Sequence, residues 1–350
     1  MKILFLYTEL ADYFIKCCAG LAGHGQIHVV RWPVNKEAPF QFDFSDHLKI
    51  YDKKNYNRTQ LQILVSEINP DIIVCSGWID KDYLAVVKPY YGKIPTILTC
   101  DTHWRGSLKQ RLATFLSPFF LLNRFSHAWV PGNIQALYCR KLGFKEHTIK
   151  KGFYCCDLPK FNNTYSIRAQ KNEPTYPRRF LYVGRYYDFK GITDLWEAFI
   201  ELQNETPNSW ELWCLGNGDI EPVQHPKIKH FGFVQPQELD PIVLQCGVFV
   251  LPSRFEPWGV VVQEYAASGF PLILSSKVGA AETFLQENIN GYSFTAGNKN
   301  QLKALLKKMT ELSDKALNLM SQKSNEAAQQ ITPEGWASTV LEIYNGFKKN

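Results

Sequence analysis

The chain has 350 residues, 45% of them hydrophobic and 21% charged, and its formal net charge is +6 at pH 7. This length suits two domains of about 150 residues or more, and the composition is ordinary for a globular protein. A net charge of this size, without a known binding motif, argues against a nucleic-acid-binding protein.

Nine cysteines are spread along the chain, an odd number with no C-x-x-C spacing. Several lie in apolar runs such as DIIVCSG and TILTC, where a free thiol behaves as a small buried hydrophobic group. They favour a reducing compartment and argue against a zinc site. The start, MKILFLYTELADYF, predicts a first β-strand instead of a secretory signal. No apolar run reaches the roughly 18 residues that span a bilayer, so we expect a cytoplasmic protein without a transmembrane anchor.

Short apolar runs alternate with segments of helical pattern, which predicts βα units and parallel sheets. The strands predicted in the first half are 2–7, 27–32, 71–77, 95–100 and 127–132. Those predicted in the second half are 179–184, 210–216, 248–253 and 271–276. The segment 162–179 is polar, contains proline and lacks periodicity, so we place the domain boundary there. The predicted parts are an N-terminal domain, a C-terminal domain and a last amphipathic helix, covering residues 1–165, 166–332 and 333–350.

A basic stretch lies in the first half of the chain. Residues 102–145 contain seven lysines and arginines and no acid. Within it, the segment 105–125 is basic at its start and strongly apolar later. Two interpretations stay open. The segment is either a basic amphipathic surface that docks on an anionic membrane, or a buried helix pair split at Pro118 with a solvated rim of cations.

A second informative stretch begins with the predicted strand 248–253, which runs into a Pro-Ser turn. Glu256 follows in a loop that Pro257 and Gly259 keep irregular. The next residues, VVVQEYAAS, have the apolar density of a buried helix, and Glu264 lies within it. Eight residues at helical rise span at most about 12 Å, so the two acids can contact opposite ends of one elongated ligand. The helix N-terminus between them suits a phosphate, and together these features predict a nucleotide-sugar site.

Glu256, seven intervening residues and Glu264 resemble the EX7E motif of the retaining glycosyltransferases of family four, which have the GT-B fold. Three further segments resemble that family in the same order: FLYVGRYYDFKGITDLWEAF (180–199), LWCLGNGD (212–219) and HFGFVQPQELDPIV (230–243). The resemblance implies an α/β protein of two Rossmann-like domains whose parallel sheets face each other across a cleft. It also implies that the final helix crosses back to the first domain, anchored by Trp336.

The resemblance implies transfer of a sugar, with retention, from a nucleoside diphosphate to a saccharide or lipid-linked acceptor. UDP is favoured over GDP, and the expected setting is cell-envelope polysaccharide or glycolipid synthesis. Neither a metal ion nor an organic cofactor is expected. The D-x-D triplet Asp80-Lys81-Asp82 is a chance match to the metal motif of a different glycosyltransferase fold. An inactive scaffold subunit and a nucleotide-sugar epimerase of the same fold remain alternatives.

The resemblance also assigns residues to roles. Arg185 and Lys190 bind the diphosphate and stabilise the negative charge that develops on the leaving group. Glu256 contacts the donor sugar, and Glu264 holds the ribose hydroxyls. The other expected donor-binding residues are Gly184, Gly216, Phe233, Val234, Trp258, Gly259 and Val260.

The first half matches the family less well. Relatives carry a Gly-Gly pair after the first strand, whereas this chain has no glycine there until Gly20. Relatives also place a histidine after the strand that corresponds to PTILTC, and here Asp101 stands in its place with His103 two residues on. Both are candidate catalytic residues, because each follows the carboxyl end of a strand, where such sheets bind ligands. Either acts as a base toward the acceptor hydroxyl or binds the donor sugar.

Overall fold

The computed structural model describes residues 1–33, 44, 47–170 and 175–348. The chain forms two compact units: unit one comprises Met1–Cys156 with Ile331–Asn350, and unit two comprises Asp157–Gln330. Each unit is built on one parallel β-sheet with helices, so the predicted α/β class is confirmed.

Unit one contains a seven-stranded sheet. Its strands are β1 (Lys2–Tyr7), β2 (Gln26–Arg31), β3 (Leu48–Asp52), β4 (Ile72–Ser76), β5 (Thr96–Thr99), β6 (His127–Trp129) and β7 (Ile149–Lys150). They lie in the order β3-β2-β1-β4-β5-β6-β7. The helices along this part of the chain are α1 (Asp12–Ala19), α2 (Arg58–Ile68), α3 (Lys81–Val87), α4 (Leu108–Phe120) and α5 (Asn133–Lys141).

Unit two contains a six-stranded sheet in the order β10-β9-β8-β11-β12-β13. Its strands are β8 (Arg179–Val183), β9 (Glu211–Leu215), β10 (Ile228–His230), β11 (Val248–Leu251), β12 (Leu272–Ser275) and β13 (Gly291–Phe294). Its helices are α6 (Leu158–Gln170), α7 (Ile192–Glu205), α8 (Asp240–Val243), α9 (Val260–Ala267), α10 (Ala281–Phe284), α11 (Lys299–Glu311) and α12 (Asp314–Ala328). The last helix, α13 (Pro333–Lys348), returns to unit one.

The core of unit one lies on both faces of its sheet, because alternate residues of a strand point to opposite faces. Leu4 and Leu6 of β1 belong to one buried cluster, and Ile3 and Phe5 belong to the other. Helix α13 completes the second cluster with Trp336. The indole of Trp336 lies 4.9 Å from the Trp129 ring, centroid to centroid, and its N–H donates to the Phe153 carbonyl at 2.7 Å.

The segment 162–179, in which the sequence analysis places the domain boundary, begins inside helix α6, which runs to Gln170; residues 171–174 lie outside the described residues. Contacts within unit two hold this helix despite its polar sequence. Thr164 Oγ1 donates to Asp240 Oδ1 at 3.2 Å, and the Phe161 ring packs against Tyr265. The units accordingly divide before α6, at Cys156–Asp157, and not near residue 165.

Strand order also places the predicted site. In unit two, β8 pairs with β9 on one side and with β11 on the other, so the order of the strands reverses between β8 and β11. Parallel α/β sheets bind ligands beyond the carboxyl ends of the strands at such a point. The loops that follow β8 and β11 carry Arg185, Lys190 and Glu256.

Candidate functional site

The loops after β8 and β11 bring Lys190 and Glu256 together. Lys190 Nζ lies 2.5 Å from Glu256 Oε2, and the two side chains are 18% and 10% exposed. Ser253 Oγ donates to the same carboxylate oxygen at 3.3 Å. Two residues that are 66 positions apart in sequence therefore form one nearly buried ion pair at the carboxyl edge of the sheet.

Gly191 lets the two loops approach this closely. It has φ 66° and is the N-cap of α7. A Cβ at this position would lie 2.3 Å from the Pro252 carbonyl oxygen, so a side chain would force the loops apart. The backbone N–H groups of Arg254 and Phe255 both donate to the Phe189 carbonyl, at 2.8 and 3.1 Å. The position of Lys190 is thus set by backbone contacts on both of its sides.

Sequence reasoning missed Arg254, which joins the same two loops through its side chain. Its Nε and Nη2 donate to the Asp194 carboxylate at 3.0 and 2.8 Å, and its Nη1 donates to Asp188 Oδ1 at 2.8 Å. The hydrogen bond to Asp194 is the main cause that raises the pKa of the Arg254 guanidinium. The sequence does carry a signal for it. Asp188 and Asp194 flank Lys190, and two neighbouring acids require a further cation to balance their charge.

Glu256 is also held through its backbone by the segment after β12. Its N–H donates to the Lys277 carbonyl at 3.1 Å, and its carbonyl accepts from the Gly279 N–H at 3.1 Å. The Trp258 carbonyl accepts from the Ala280 N–H at 2.9 Å. The Trp258 side chain is buried, so the indole packs inside unit two and any sugar contact at this residue falls to the backbone.

The predicted buried helix after Glu256 is confirmed as α9. It starts after Gly259, which has φ 92°, and buries Val262, Tyr265 and Ala266 among others. Val260 is the first helical residue, and Glu264 lies partly exposed in the second turn. The two acids thus flank the N-terminus of one helix, as the spacing predicted. First-turn N–H groups of a helix and its dipole stabilise anionic ligands.

Gly184 and Arg185 follow β8, and Gly216 follows the neighbouring strand β9. The Gly184 N–H donates to the Leu215 carbonyl at 3.0 Å, and the Tyr182 hydroxyl donates to the Arg185 carbonyl at 2.9 Å. Gly216 has φ 133°, and a Cβ there would lie 2.0 Å from the Gly184 carbonyl oxygen. Gly216 therefore permits the close packing of two loops.

Phe233 and Val234 lie beside this packed pair of loops. The Gly216 N–H donates to the Gly232 carbonyl at 2.7 Å, and the Asn217 side-chain oxygen accepts from the Phe233 N–H at 3.2 Å when its amide is oriented to satisfy both neighbours. The Asn217 side chain therefore fixes the backbone at Phe233, the residue that precedes Val234.

In unit one, Asp101 follows β5 and meets an aromatic group. The Tyr154 hydroxyl donates to Asp101 Oδ2 at 3.3 Å, and the Tyr154 ring lies edge-on to Tyr13 at 5.7 Å. Burial raises the pKa of Tyr154 well above its ordinary value, and the Asp101 charge adds to the shift, so the phenol stays protonated and donates. His103 is partly exposed, and its carbonyl accepts from Gln110 Nε2 at 2.6 Å.

The two acids of the D-x-D triplet, Asp80 and Asp82, make contacts within unit one. Asp80 is the N-cap of α3 and accepts from the backbone N–H groups of Asp82 and Tyr83. Asp82 pairs with Lys53 at 3.0 Å and with Arg58 at 2.8 Å, and the hydrogen bond from Lys53 is the main cause that lowers the pKa of Asp82. These contacts give both acids a structural role.

The basic segment 105–125 contains one helix, α4, that continues through Pro118. Its apolar residues recur at helical spacing and face solvent: Leu108 is 85% exposed, Phe115 73% and Phe119 72%. Within α4, the buried residue is Ser117. The alternative of a buried helix pair split at Pro118 is therefore wrong. Helix α4 falls short of the length and apolar content needed to cross a bilayer, as does every other helix in the described part of the chain.

The sequence resembles known proteins over part of its length. Residues 163–329 match the family model of the glycosyl transferases group 1. An uncharacterised glycosyltransferase of Methanocaldococcus jannaschii is 31% identical over 142 residues, which cover 38% of this chain and 34% of that protein. A glycogen synthase of Mycobacterium tuberculosis is 30% identical over 126 residues, which cover 33% of this chain and 30% of that enzyme. The chain thus matches about a third of the length of these curated relatives.

Structural similarity extends over the whole chain. Alr3699/HepE of Anabaena, solved in complex with UDP, has a TM-score of 0.72 at 15% identity, with 99% of this chain and 100% of that chain covered. Sucrose-phosphate synthase from Thermosynechococcus elongatus has a TM-score of 0.71 at 18% identity, with both chains covered completely. At sequence identities this low, the structural similarity establishes the fold alone. It is GT-B, with two parallel-sheet α/β domains, as the sequence predicted.

Proposed function

We propose that this chain is a retaining glycosyltransferase of family four that transfers a sugar from a nucleoside diphosphate to a saccharide or lipid-linked acceptor. The observation that carries the proposal is the contact between Lys190 and Glu256 at the point where the strand order of unit two reverses. The family match over 163–329 includes both loops and supports the same activity.

Charge assigns the roles of the donor residues. Breaking the glycosidic bond transfers negative charge to the diphosphate, and fixed cations stabilise that charge more in the transition state than in the ground state. Arg185 and Lys190 supply those cations, and the N-terminus of α9 adds a positive dipole end. Glu256 faces the sugar and stabilises positive charge at the anomeric carbon. Glu264 holds the ribose hydroxyls.

When the donor is bound, Lys190 has to contact two anions, the Glu256 carboxylate and the diphosphate. In the ligand-free protein its ammonium contacts Glu256. An ammonium has three donors, so it can retain Glu256 while a second N–H reaches a phosphate oxygen. No metal ion or other cofactor is part of the proposal.

UDP is the preferred nucleotide in this proposal, ahead of GDP. The support is that Alr3699/HepE, which is similar over the whole chain, was solved with UDP and with UDP-glucose. The backbone of Phe233 and Val234 is assigned to the base, and the backbone near Trp258, Gly259 and Val260 to the sugar. Gly184 and Gly216 shape the loops that enclose the diphosphate.

The acceptor side is assigned to unit one. We place Asp101 and His103 near the reacting hydroxyl or the donor sugar, because both follow β5 at the carboxyl edge of the sheet. Tyr154, donating to Asp101 at 3.3 Å, orients the carboxylate. Since Asp101 stands where relatives have histidine, its replacement by asparagine should reduce transfer more than it weakens UDP binding.

Helix α4 supplies a membrane contact in this proposal. Its exposed leucines and phenylalanines would enter the headgroup region while the neighbouring exposed cations Arg105, Lys109 and Arg111 contact anionic lipids on the cytoplasmic face. That arrangement suits an enzyme of cell-envelope polysaccharide or glycolipid synthesis, because the acceptor would be lipid-linked. Flotation with phosphatidylglycerol liposomes tests it, and failure to float contradicts the contact.

Thermal unfolding with UDP, GDP, ADP and their common sugar conjugates tests the donor site. A ligand at one hundred times its Kd stabilises the folded state by about 2.7 kcal/mol, enough to raise the Tm by several degrees. A shift with UDP ligands that is lost in Lys190→Ala supports the proposal. A shift with none of them favours a scaffold subunit, and conversion of the donor without an acceptor favours an epimerase.

A further inference from the structure

We propose that Arg254 is a positioning residue of the donor site, which locks the loop carrying Lys190 onto the loop carrying Glu256. The inference rests on the proposed function, since it concerns how Lys190 is held for a diphosphate. Arg254 lies outside every motif that indicated the site, and its side chain is 39% exposed.

The first observation is the geometry between Arg254 and Asp194. Nε and Nη2 of the guanidinium each donate to a different oxygen of the Asp194 carboxylate, at 3.0 and 2.8 Å. This two-pronged arrangement fixes the plane of the guanidinium as well as its distance. Asp194 lies in the first turn of α7 and its side chain is 12% exposed, so it is a rigid anchor.

The second observation is the contact with Asp188. The remaining terminal nitrogen, Nη1, donates to Asp188 Oδ1 at 2.8 Å. Asp188 begins the single 3-10 turn that ends at Lys190. The Arg254 guanidinium therefore binds one residue before Lys190 and one residue after it. The backbone N–H of Arg254 also donates to the carbonyl of Phe189, which lies directly before Lys190. These contacts leave the Lys190 backbone little freedom to move relative to Glu256.

Charge explains why this position needs a cation. Asp188, Asp194 and Glu256 bring three negative charges to the neighbourhood of Lys190. Without Arg254, the carboxylates of Asp188 and Asp194 would lose the guanidinium that pairs with them. They would then compete with Glu256 and the diphosphate for the lysine ammonium. Arg254 occupies both aspartates, so Lys190 is left with Glu256. The expected consequence is that Arg254 influences nucleotide affinity through Lys190 without touching the ligand.

A double-mutant cycle on UDP affinity separates this role from a general structural one. Isothermal titration calorimetry on the full chain would give the Kd of UDP for wild type, Arg254→Met, Lys190→Ala and the double variant. We expect Arg254→Met to weaken UDP about tenfold in the wild-type background and less than about twofold in the Lys190→Ala background. Arg254→Lys should restore UDP affinity only in part, because an ammonium restores the charge but cannot make the fork.

Two further variants make the result decisive. Arg179→Met is the matched control, since Arg179 is 32% exposed and pairs with Glu211 at 2.8 Å at the start of β8, the end of the strand opposite the loops. It should leave the Kd of UDP within twofold of wild type. Asp194→Asn removes the charged partner of the fork while keeping Arg254, and should weaken UDP as Arg254→Met does.

Hydrogen–deuterium exchange adds a readout on the free protein. Amides of residues 188–194 should exchange faster in Arg254→Met and at the wild-type rate in Arg179→Met. The inference is overturned if Arg254→Met costs the same UDP affinity in the wild-type and Lys190→Ala backgrounds. It is also overturned if Arg254→Lys restores full affinity, or if Arg179→Met weakens UDP as much as Arg254→Met does. If Lys190→Ala weakens UDP binding and Arg254→Met changes nothing, the donor site stands and the inference alone fails. Wild type that binds no nucleotide overturns both.

Discussion

Replacing Lys190 by methionine removes an ammonium 2.5 Å from the Glu256 carboxylate and leaves that carboxylate, 10% exposed, without its counter-ion. Removing one partner of a fully buried pair costs about 3–5 kcal/mol, because the remaining charge stays out of water. In this protein Ser253 Oγ still donates to Glu256 at 3.3 Å. Both side chains of the pair also retain some contact with water. We therefore expect Lys190→Met to lower the free energy of unfolding by about 2–3 kcal/mol.

Thermal unfolding of the ligand-free protein, followed by circular dichroism, measures the loss. For a domain the size of unit two, 2–3 kcal/mol corresponds to a fall in Tm of about 4–12 °C. Lys303→Met is the matched control. The Lys303 side chain is 21% exposed, close to the 18% of Lys190, but its partners Glu205 and Glu201 are 60% and 37% exposed. Exposed ion pairs contribute little to stability, so the control should lower the Tm far less.

The double variant Lys190→Met/Glu256→Gln identifies the cause of the loss. A neutral glutamine leaves no unpaired charge at the buried position, so the double variant should unfold at a higher temperature than Lys190→Met alone. The reasoning is refuted if Lys190→Met melts with the control, or if the double variant is less stable than the single one.

Three other changes give separate tests. Gly191→Ala should destabilise unit two by about 2 kcal/mol or more in urea unfolding, because φ of 66° and a Cβ 2.3 Å from the Pro252 carbonyl both oppose a side chain. Burial lowers the pKa of His127 to about 4. The unfolded chain therefore binds this proton more readily, and stability should fall by about 1–2 kcal/mol as the pH drops from about 6.5 to 4; His127→Gln should flatten that part of a urea-midpoint profile. Replacing Phe115 and Phe119 of α4 by serine should abolish flotation with anionic liposomes while leaving the Tm unchanged, because both rings face solvent.

Most strands were predictable because parallel strands covered on both faces read as unbroken apolar runs. DIIVCSG and RFLYVG are such runs, and each forms a strand between helices. The strands that sequence reasoning missed have weaker signals. β3 is largely half-exposed, β7 has two residues, β10 has one buried residue followed by two polar ones, and β13 is a four-residue strand with an exposed serine. These strands are specified by pairing with a neighbour, and single-strand composition does not report pairing.

Some features of the candidate site follow from local sequence, and others depend on which strands pair. The positions of Glu256, Gly259 and Glu264 on one loop and one buried helix follow from local spacing, and the structure agrees. The ion pair with Lys190 could not be foreseen, because it depends on β8 and β11 being neighbours in the sheet. Arg254 was missed for the same reason, since its partners Asp188 and Asp194 lie about sixty residues earlier.

The return of α13 to unit one has a consequence for synthesis. Unit two is one continuous stretch, 157–330, whereas the core of unit one includes Trp336 beyond it. At about 5–20 residues per second, α13 emerges some 10–40 s after β7. During that interval the aromatic groove around Phe5, Phe14 and Trp129 lacks the indole that fills it. Unit one therefore begins to fold first on the ribosome and is completed last, and a chaperone that binds exposed aromatic surface has its best opportunity there.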